Sequence, residues 1–207
     1  MAGSNNTPAG AKTRAVCLLG SPRPGGNSDL LAERFCDALE AHGAAVKTHT
    51  LRDLRFQGYV ADAERHKDER LGEHHDDFEE VLSDVRRSQI VVLATPVYFC
   101  NMSGLLKQAF DRFYELLEIQ PGGKPKARAP DKTLVLIQTQ GEDEARYGDL
   151  LQLYAPALDI LGFAQRELVR ACGVREPGAV LQQSEVLRQA DLLARSLVLG
   201  EDKEAAI

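Results

Sequence analysis

The 207-residue chain predicts an α/β fold in which a parallel sheet carries helices on both faces, and three observations point there. Continuously apolar runs such as AVCLLG, IVVLAT and TLVLIQT have the character of strands covered on both sides. Segments with apolar residues at helical spacing separate them, and right-handed crossovers between parallel strands then place helices on both faces. Hydrophobic residues make up 43% of the chain and charged residues 27%, a balance that supports one well-buried globular domain.

Met1 to Thr13 is rich in Gly, Ala, Ser and Asn and has no periodic apolar face, so residues 1–13 are expected to form a disordered tail ahead of a single domain, 14–207. The first strand begins at Arg14 and stops at Gly20. Asn27 and Ser28 are suited to cap the first helix, Asp29 adds first-turn negative charge, and Leu30, Leu31, Phe35 and Leu39 form its apolar stripe, which ends near Gly43. Ala45 to Leu51 alternates apolar and polar residues, as an outer strand with one wet face does. Arg52 to His75 is polar and of mixed charge, which predicts a long excursion with little regular structure. Asp76 and Asp77 open a second helix through Phe78, Val81, Leu82 and Val85, and the third strand, IVVLAT, is expected to end at Pro96. Leu105, Leu106, Phe110, Phe113 and Leu117 mark a strongly amphipathic third helix. The Pro- and Gly-rich connector QPGGKPKARAP leads to the fourth strand, TLVLIQT, and Leu150 to Leu161 forms the fourth helix. Phe163 to Val174 reads as a weaker fifth strand, and Val180, Val186, Leu187, Ala190, Leu193, Ala194 and Leu197 share one face of a last helix.

The net charge of -6, with no block of Lys and Arg, argues against a nucleic acid as partner. No apolar run approaches the roughly 18 residues of a membrane span, and the amino terminus lacks the basic-then-apolar order of a signal peptide, so a cytoplasmic protein is expected. Cys17, Cys36, Cys100 and Cys172 are scattered without C-x-x-C spacing and read as four buried or half-buried thiols. His66, His74 and His75, beside Asp76 and Asp77, have zinc-ligand chemistry, but no second cluster completes a site, and solvated loop histidines beside a helix start account for them with fewer assumptions. No metal is expected. Lys107 and Asp111 are spaced to pair across one helical turn and, with Arg112, read as structural.

The segment LLGSPRPGGNSDLL lies where the first strand hands over to the first helix, the place in such folds where backbone N–H groups converge on open space. Gly20, Gly25 and Gly26 let the backbone curve closely around an anion. The hydroxyls of Ser21 and Ser28 and the amide of Asn27 are hydrogen-bond donors, and Arg23 supplies charge. The GK[ST] ending of nucleoside triphosphatases and the G-x-G-x-x-G of direct dinucleotide sites are both missing, so a monophosphate fits best. Taken alone, the segment also reads as a Gly/Pro turn ahead of a capped helix.

The loop after the third strand, in TPVYFCNMSGLLKQAFDRFYELL, meets the first loop where the strand order reverses. Pro96, Val97, Tyr98, Phe99, Asn101 and Met102 combine aromatic and apolar surface with backbone amides, which a flat amphipathic ring such as a flavin requires. The loop after the fourth strand, TQGEDEARYGD, places Thr139, Gln140 and Gly141 at the carboxyl end of the sheet, either as flavin contacts or as an ordinary polar connection.

Two of these segments, GSPRPGGNS at Gly20 to Ser28 and TPVYFCNMSGLLKQAFDR at Thr95 to Arg112, occur in the order and spacing found in NADPH-dependent FMN reductases, and the chain resembles that family from about Arg14 to Leu197. The family includes quinone reductases and iron-sulfur flavoproteins. The resemblance implies a flavodoxin-like, doubly wound five-stranded parallel sheet of order 2-1-3-4-5, bound FMN, and NADPH or NADH as co-substrate. It also implies that Ser21, Arg23, Asn27 and Ser28 hold the phosphate, that Pro96, Val97, Tyr98 and Phe99 line the isoalloxazine, and that the chain forms a homodimer or homotetramer. The iron-sulfur members carry a cysteine cluster between the second strand and second helix. Arg52 to Asp77 contains no cysteine, so no cluster can be ligated there, and the segment becomes a candidate lid or dimer contact.

The expected function is thus an FMN-dependent NAD(P)H oxidoreductase that passes reducing equivalents through flavin to a small quinone, flavin, nitro or azo acceptor. The rivals are a flavodoxin-like electron carrier, which NADPH would not bleach rapidly, and a binding module without cofactor, which would take up no FMN.

Overall fold

A computed structural model describes residues 12–60 and 76–200. Most of the expected amino-terminal tail, and His66, His74 and His75, lie outside these residues. The elements follow the expected alternation: β1 (Arg14–Leu19), α1 (Asn27–Ala41), β2 (Ala45–Thr50), α2 (Phe78–Arg87), β3 (Ile90–Tyr98), a two-residue β4 (Asn101–Met102), α3 (Gly104–Arg112), β5 (Leu117–Ile119), β6 (Pro125–Ala127), β7 (Lys132–Thr139), α4 (Leu150–Ile160), β8 (Phe163–Ala171) and α5 (Ser184–Leu199). Five strands pair in parallel in the order β2-β1-β3-β7-β8, which is the expected 2-1-3-4-5 arrangement.

The side-chain period of two divides each central strand between two cores. Val16 and Leu18 of β1, Val91 and Leu93 of β3, and Leu134 and Leu136 of β7 face one core with α2, α3 and α4. Ala15, Cys17 and Leu19, Val92 and Ala94, and Val135 and Ile137 face the other, covered by α1 and α5. Because α1 and α3 lie on opposite faces, the chain leaves β1 and β3 in opposite directions, which puts the switch in strand order, where sheets of this kind bind ligands, between the two loops.

Local departures from the expected boundaries have identifiable causes. Pro96 does not end β3, because the ladder to β1 stops earlier, at Leu19 opposite Ala94, and no β1 carbonyl needs the missing N–H. Pro96 itself stands opposite Thr139 in the last rung with β7. The third helix stops at Arg112 and continues only as a 3₁₀ turn, since Leu117, expected on that helix, instead begins a β5–β6 hairpin that runs on into the stretch expected to be a plain connector. Arg128 holds that hairpin by donating from its main-chain N to the Leu116 carbonyl and from Nε to the Leu117 carbonyl. Val180 belongs to a 3₁₀ turn ahead of α5. Of the four cysteines, Cys17 and Cys36 are buried and Cys172 is half-buried, but Cys100 is exposed at a hairpin tip.

The described part of the polar excursion, up to Val60, does not stand free. Gln108 donates to the Phe56 carbonyl at 3.0 Å, Phe56 stacks on Phe78 with centroids 4.9 Å apart, and Tyr59 meets Tyr114 at 4.8 Å. Arg112, fully buried on α3, ties the excursion down. It donates to the Gln57 carbonyl at 3.0 Å, to Asp76 at 2.7 and 3.3 Å and to Glu115, and lies over the Phe78 ring. Asp76 also accepts from the Phe78 N–H at 3.1 Å, while the residue at the cap position of α2, Asp77, makes no side-chain capping bond and accepts from the Arg55 N–H instead.

Candidate functional site

The first loop is shaped by close backbone approach. A Cβ on Gly20 would lie 2.6 Å from Leu106 Cβ and 2.8 Å from the Ala94 carbonyl, which the Gly20 N–H meets at 2.8 Å, so only glycine brings this loop against α3. Ser21 is buried and folds the loop on itself: its Oγ accepts from the Arg23 N–H at 3.1 Å and donates to the Arg23 carbonyl at 3.0 Å. Gly26 closes the curve, since a Cβ there would come within 2.8 Å of Ser21 Oγ. Arg23 is exposed at the tip.

The cap of α1 is Gly26 rather than Asn27 or Ser28. A glycine cap offers no side-chain acceptor to the first-turn N–H groups, which keep their partial positive charge for a ligand. The Ser28 hydroxyl is buried and has no hydrogen-bond partner among the described residues. An uncapped helix start, a glycine cradle and an orphaned donor together have the chemistry of a phosphate site. Asn27, by contrast, turns its side chain away, donating to the carbonyls of Val174 (3.1 Å) and Glu176 (2.9 Å) and accepting from the Val180 N–H (3.2 Å).

Beneath the loop lies an ion pair that sequence patterns do not reveal. Asp29 is fully buried, and Arg52, in the 3₁₀ turn just after β2, reaches it at 2.7 Å while also donating to the Ser21 carbonyl at 3.3 Å. Burial pushes the Asp29 carboxyl above its usual range, against the pull of Arg52. The guanidinium thus offsets a buried negative charge that would otherwise repel an anion in the loop above.

The second loop is a tight hairpin from β3 to β4, with Val97 opposite Met102 and Tyr98 opposite Asn101. Its two central residues, Phe99 (φ 48°) and Cys100 (φ 61°), both occupy the left-handed region, the pattern of a type I′ turn usually made by Asn-Gly. Strain of this kind persists only where the surroundings impose it. Ser103 imposes it at the base by donating from Oγ to the Gly20 carbonyl at 2.5 Å, which links this hairpin to the first loop. Tyr154 adds a second restraint by donating to Asn101 Oδ1 at 2.5 Å.

Pro96 and Val97 are half-buried and Tyr98 is exposed, while Phe99 projects wholly into solvent at 103% relative exposure. Phe99 therefore stands out from the hairpin tip. Met102 packs into the core beneath α3, and Asn101 is committed to the Tyr154 hydroxyl and the Met102 N–H. Thr139 and Gln140 are buried at the end of β7. Gln138 donates to Gln140 Oε1 at 2.8 Å, Gln140 donates to the Asp143 carbonyl at 2.6 Å, and Gln138 accepts from the Leu150 N–H at 3.2 Å, an amide chain that shapes the third loop from inside. Gly141 is half-buried under Arg175, whose Nε donates to its carbonyl at 3.0 Å.

A doubly wound sheet with three loops gathered at the carboxyl ends of β1, β3 and β7 defines a flavodoxin-like protein. The chain belongs to the NADPH-dependent FMN reductase family, whose pattern it matches over residues 13–158. It is 26% identical over 185 residues, 88% of this chain and 98% of the other, to YwqN of Bacillus subtilis, named as an NAD(P)H-dependent FMN-containing oxidoreductase. It is 29% identical over 99 residues to an iron-sulfur flavoprotein of Methanocaldococcus jannaschii, covering 48% of this chain and 51% of that one. Among solved structures, an FMN-dependent NADH-azoreductase from Bacillus anthracis in complex with FMN superposes with a TM-score of 0.66 at 17% identity, covering 90% of this chain and 99% of the other. An NAD(P)H:quinone oxidoreductase from Methanothermobacter marburgensis does so with a TM-score of 0.65 at 18% identity, covering 90% and 98%.

Proposed function

We propose that this chain holds FMN in the crevice between its first and second loops and passes reducing equivalents from NADPH or NADH to a small acceptor, a quinone, flavin, nitro or azo compound. The observation that carries the reading is the orphaned Ser28 hydroxyl at an α1 start that no side chain caps. Ser28 donates to a phosphate oxygen there, the N–H groups of the α1 first turn direct partial positive charge at it, and Arg23 closes over it from the loop tip. Ser21 and Gly26 hold the cradle's curvature, and Arg52 cancels the Asp29 charge below it.

Pro96, Val97 and Tyr98 offer an apolar ledge to the flavin ring, with Phe99 at its outer edge. Asn101 and Met102 support that ledge from behind, and Thr139, Gln140 and Gly141 bring main-chain groups of the third loop to its far side. When bound, FMN supplies hydride acceptance and onward electron transfer, so the protein needs no catalytic acid or base of its own. The chain acts as a single cytoplasmic flavodoxin-like domain and assembles as a homodimer or homotetramer. No helix among the described residues is long and apolar enough to cross a membrane.

The test is a visible spectrum of the purified chain titrated with FMN, followed by anaerobic addition of NADPH or NADH. A saturable shift of the flavin bands and rapid bleaching by the nicotinamide are expected. Absence of FMN binding would overturn the reading, and turnover against quinone, flavin, nitroaromatic and azo acceptors would rank them. Light scattering on the same sample gives the subunit number.

A further inference from the structure

Asn27 lies inside the phosphate-loop segment, yet its carboxamide is fully spent elsewhere. An amide side chain has two N–H donors and one oxygen. Here the donors reach the Val174 and Glu176 carbonyls at 3.1 and 2.9 Å, and the oxygen receives the Val180 N–H at 3.2 Å. Exchanging the amide O and N would set an oxygen against two carbonyls, so this orientation is the one chemistry allows. No side-chain donor remains for a phosphate oxygen.

The segment that Asn27 grips is itself bonded to the third loop. The Gly173 N–H donates to the Glu142 carbonyl at 3.1 Å and the Val174 N–H to the Gln140 carbonyl at 3.0 Å. Arg175 Nε donates to the Gly141 carbonyl at 3.0 Å, and its Nη2 meets Glu142 at 2.6 Å. Residues 140–142 are thus held, carbonyl by carbonyl, by 173–175, and 174–180 is held by one side chain at the start of α1. Partners 147 to 153 residues apart in sequence join the first and third loops through this bridge.

We propose that Asn27 is a positioning residue: its side chain fixes the third loop, through residues 173–180, against the side of the flavin remote from the phosphate, and is not a phosphate ligand. This rests on the flavin reading given above. Phosphate ligands and positioning residues differ in one readout, discrimination between FMN and riboflavin, which lacks the phosphate.

Dissociation constants for both flavins are measured for the wild type, Ser28→Ala, Asn27→Ala and the milder Asn27→Ser. Ser28→Ala is expected to weaken FMN about tenfold or more, as loss of a hydrogen bond to a charged group does, and to leave riboflavin unchanged. Asn27→Ala is expected to weaken both flavins by the same factor, roughly 3- to 30-fold, with Asn27→Ser in between. Hydrogen exchange of the ligand-free protein is the second arm. Asn27→Ala should speed exchange in 139–149 and 172–180 while leaving β1, β3 and β7 protected, whereas a general loss of stability would raise exchange throughout. A loss of FMN affinity without loss of riboflavin affinity, or unchanged exchange in 139–149, would overturn the proposal. Failure of the wild type to bind either flavin would overturn the reading of the site instead, and the exchange arm would still test the bridge.

Discussion

Replacing Arg112 with Met is the most informative perturbation of the scaffold behind the site. The guanidinium is fully buried and satisfies Asp76 twice, Glu115 and the Gln57 carbonyl, while its flat face covers Phe78. Methionine fills much of the volume but leaves Asp76 and Glu115, whose side chains are only 16% and 17% exposed, without their cation. Breaking a buried pair in this way costs ~3–5 kcal/mol. Because both carboxylates retain some water contact, the lower end applies, about 3 kcal/mol. For a chain of this length each kcal/mol moves the melting temperature by roughly 2–4 °C, so Arg112→Met should melt about 6–12 °C lower at neutral pH. Thermal unfolding followed by circular dichroism measures the shift, and adding Asp76→Asn should recover part of the loss, since one stranded charge is then removed. A melting temperature within 2 °C of the wild type would refute the reasoning, because it would mean that the pair contributes no more than an exposed one.

The same pair predicts an acid dependence. Burial pushes the Asp76 carboxyl up, but hydrogen bonds from Arg112 and from the Gln57 and Phe78 N–H groups outweigh it and hold the group below its usual range. A depressed carboxylate stabilises the fold above its unfolded value near pH 4 and loses that contribution as pH falls further, so wild type should lose more stability below about pH 4 than Arg112→Met does, in urea titrations at stepped pH. Gly20→Ala would force a Cβ to within 2.6 Å of Leu106 and 2.8 Å of a backbone carbonyl, and overpacking of this kind should cost about 2 kcal/mol, read as a melting temperature lower by roughly 4–8 °C. Cys100→Gly removes a left-handed non-glycine residue from the hairpin tip. Offset by the extra backbone entropy of glycine, it should gain ~0.5–1 kcal/mol and raise the melting temperature by about 1–4 °C, and a fall would show that the strain assigned to this turn is absent.

Strand and helix alternation, the two-faced core and the loops that gather at one end of the sheet could all be read from the sequence, because each depends on patterns within a few residues. The same holds for the Lys107–Asp111 pair, one helical turn apart and 2.5 Å between charges in the structure. The β5–β6 hairpin has no signature in the sequence, because three-residue strands with mostly exposed side chains leave no periodic signal. The passage of β3 through Pro96 depends on where the neighbouring ladder stops, which local sequence does not encode.

At the site the division is the same. The glycines and hydroxyls of Gly20 to Ser28 mark a candidate anion cradle through their place between an apolar strand and a helix, although the same composition also suits a Gly/Pro turn. Which side chains there are already engaged depends on partners far along the chain. Arg52 neutralises Asp29 from 23 residues away, Arg112 reaches Asp76 across 36, and Asn27 grips a segment about 150 residues downstream. The sequence by itself determined the main strands and helices and marked a candidate place for an anion. Tertiary structure alone decided which polar groups remain for that anion, because a hydrogen-bond donor already given to a distant carbonyl looks, in sequence, the same as one left free.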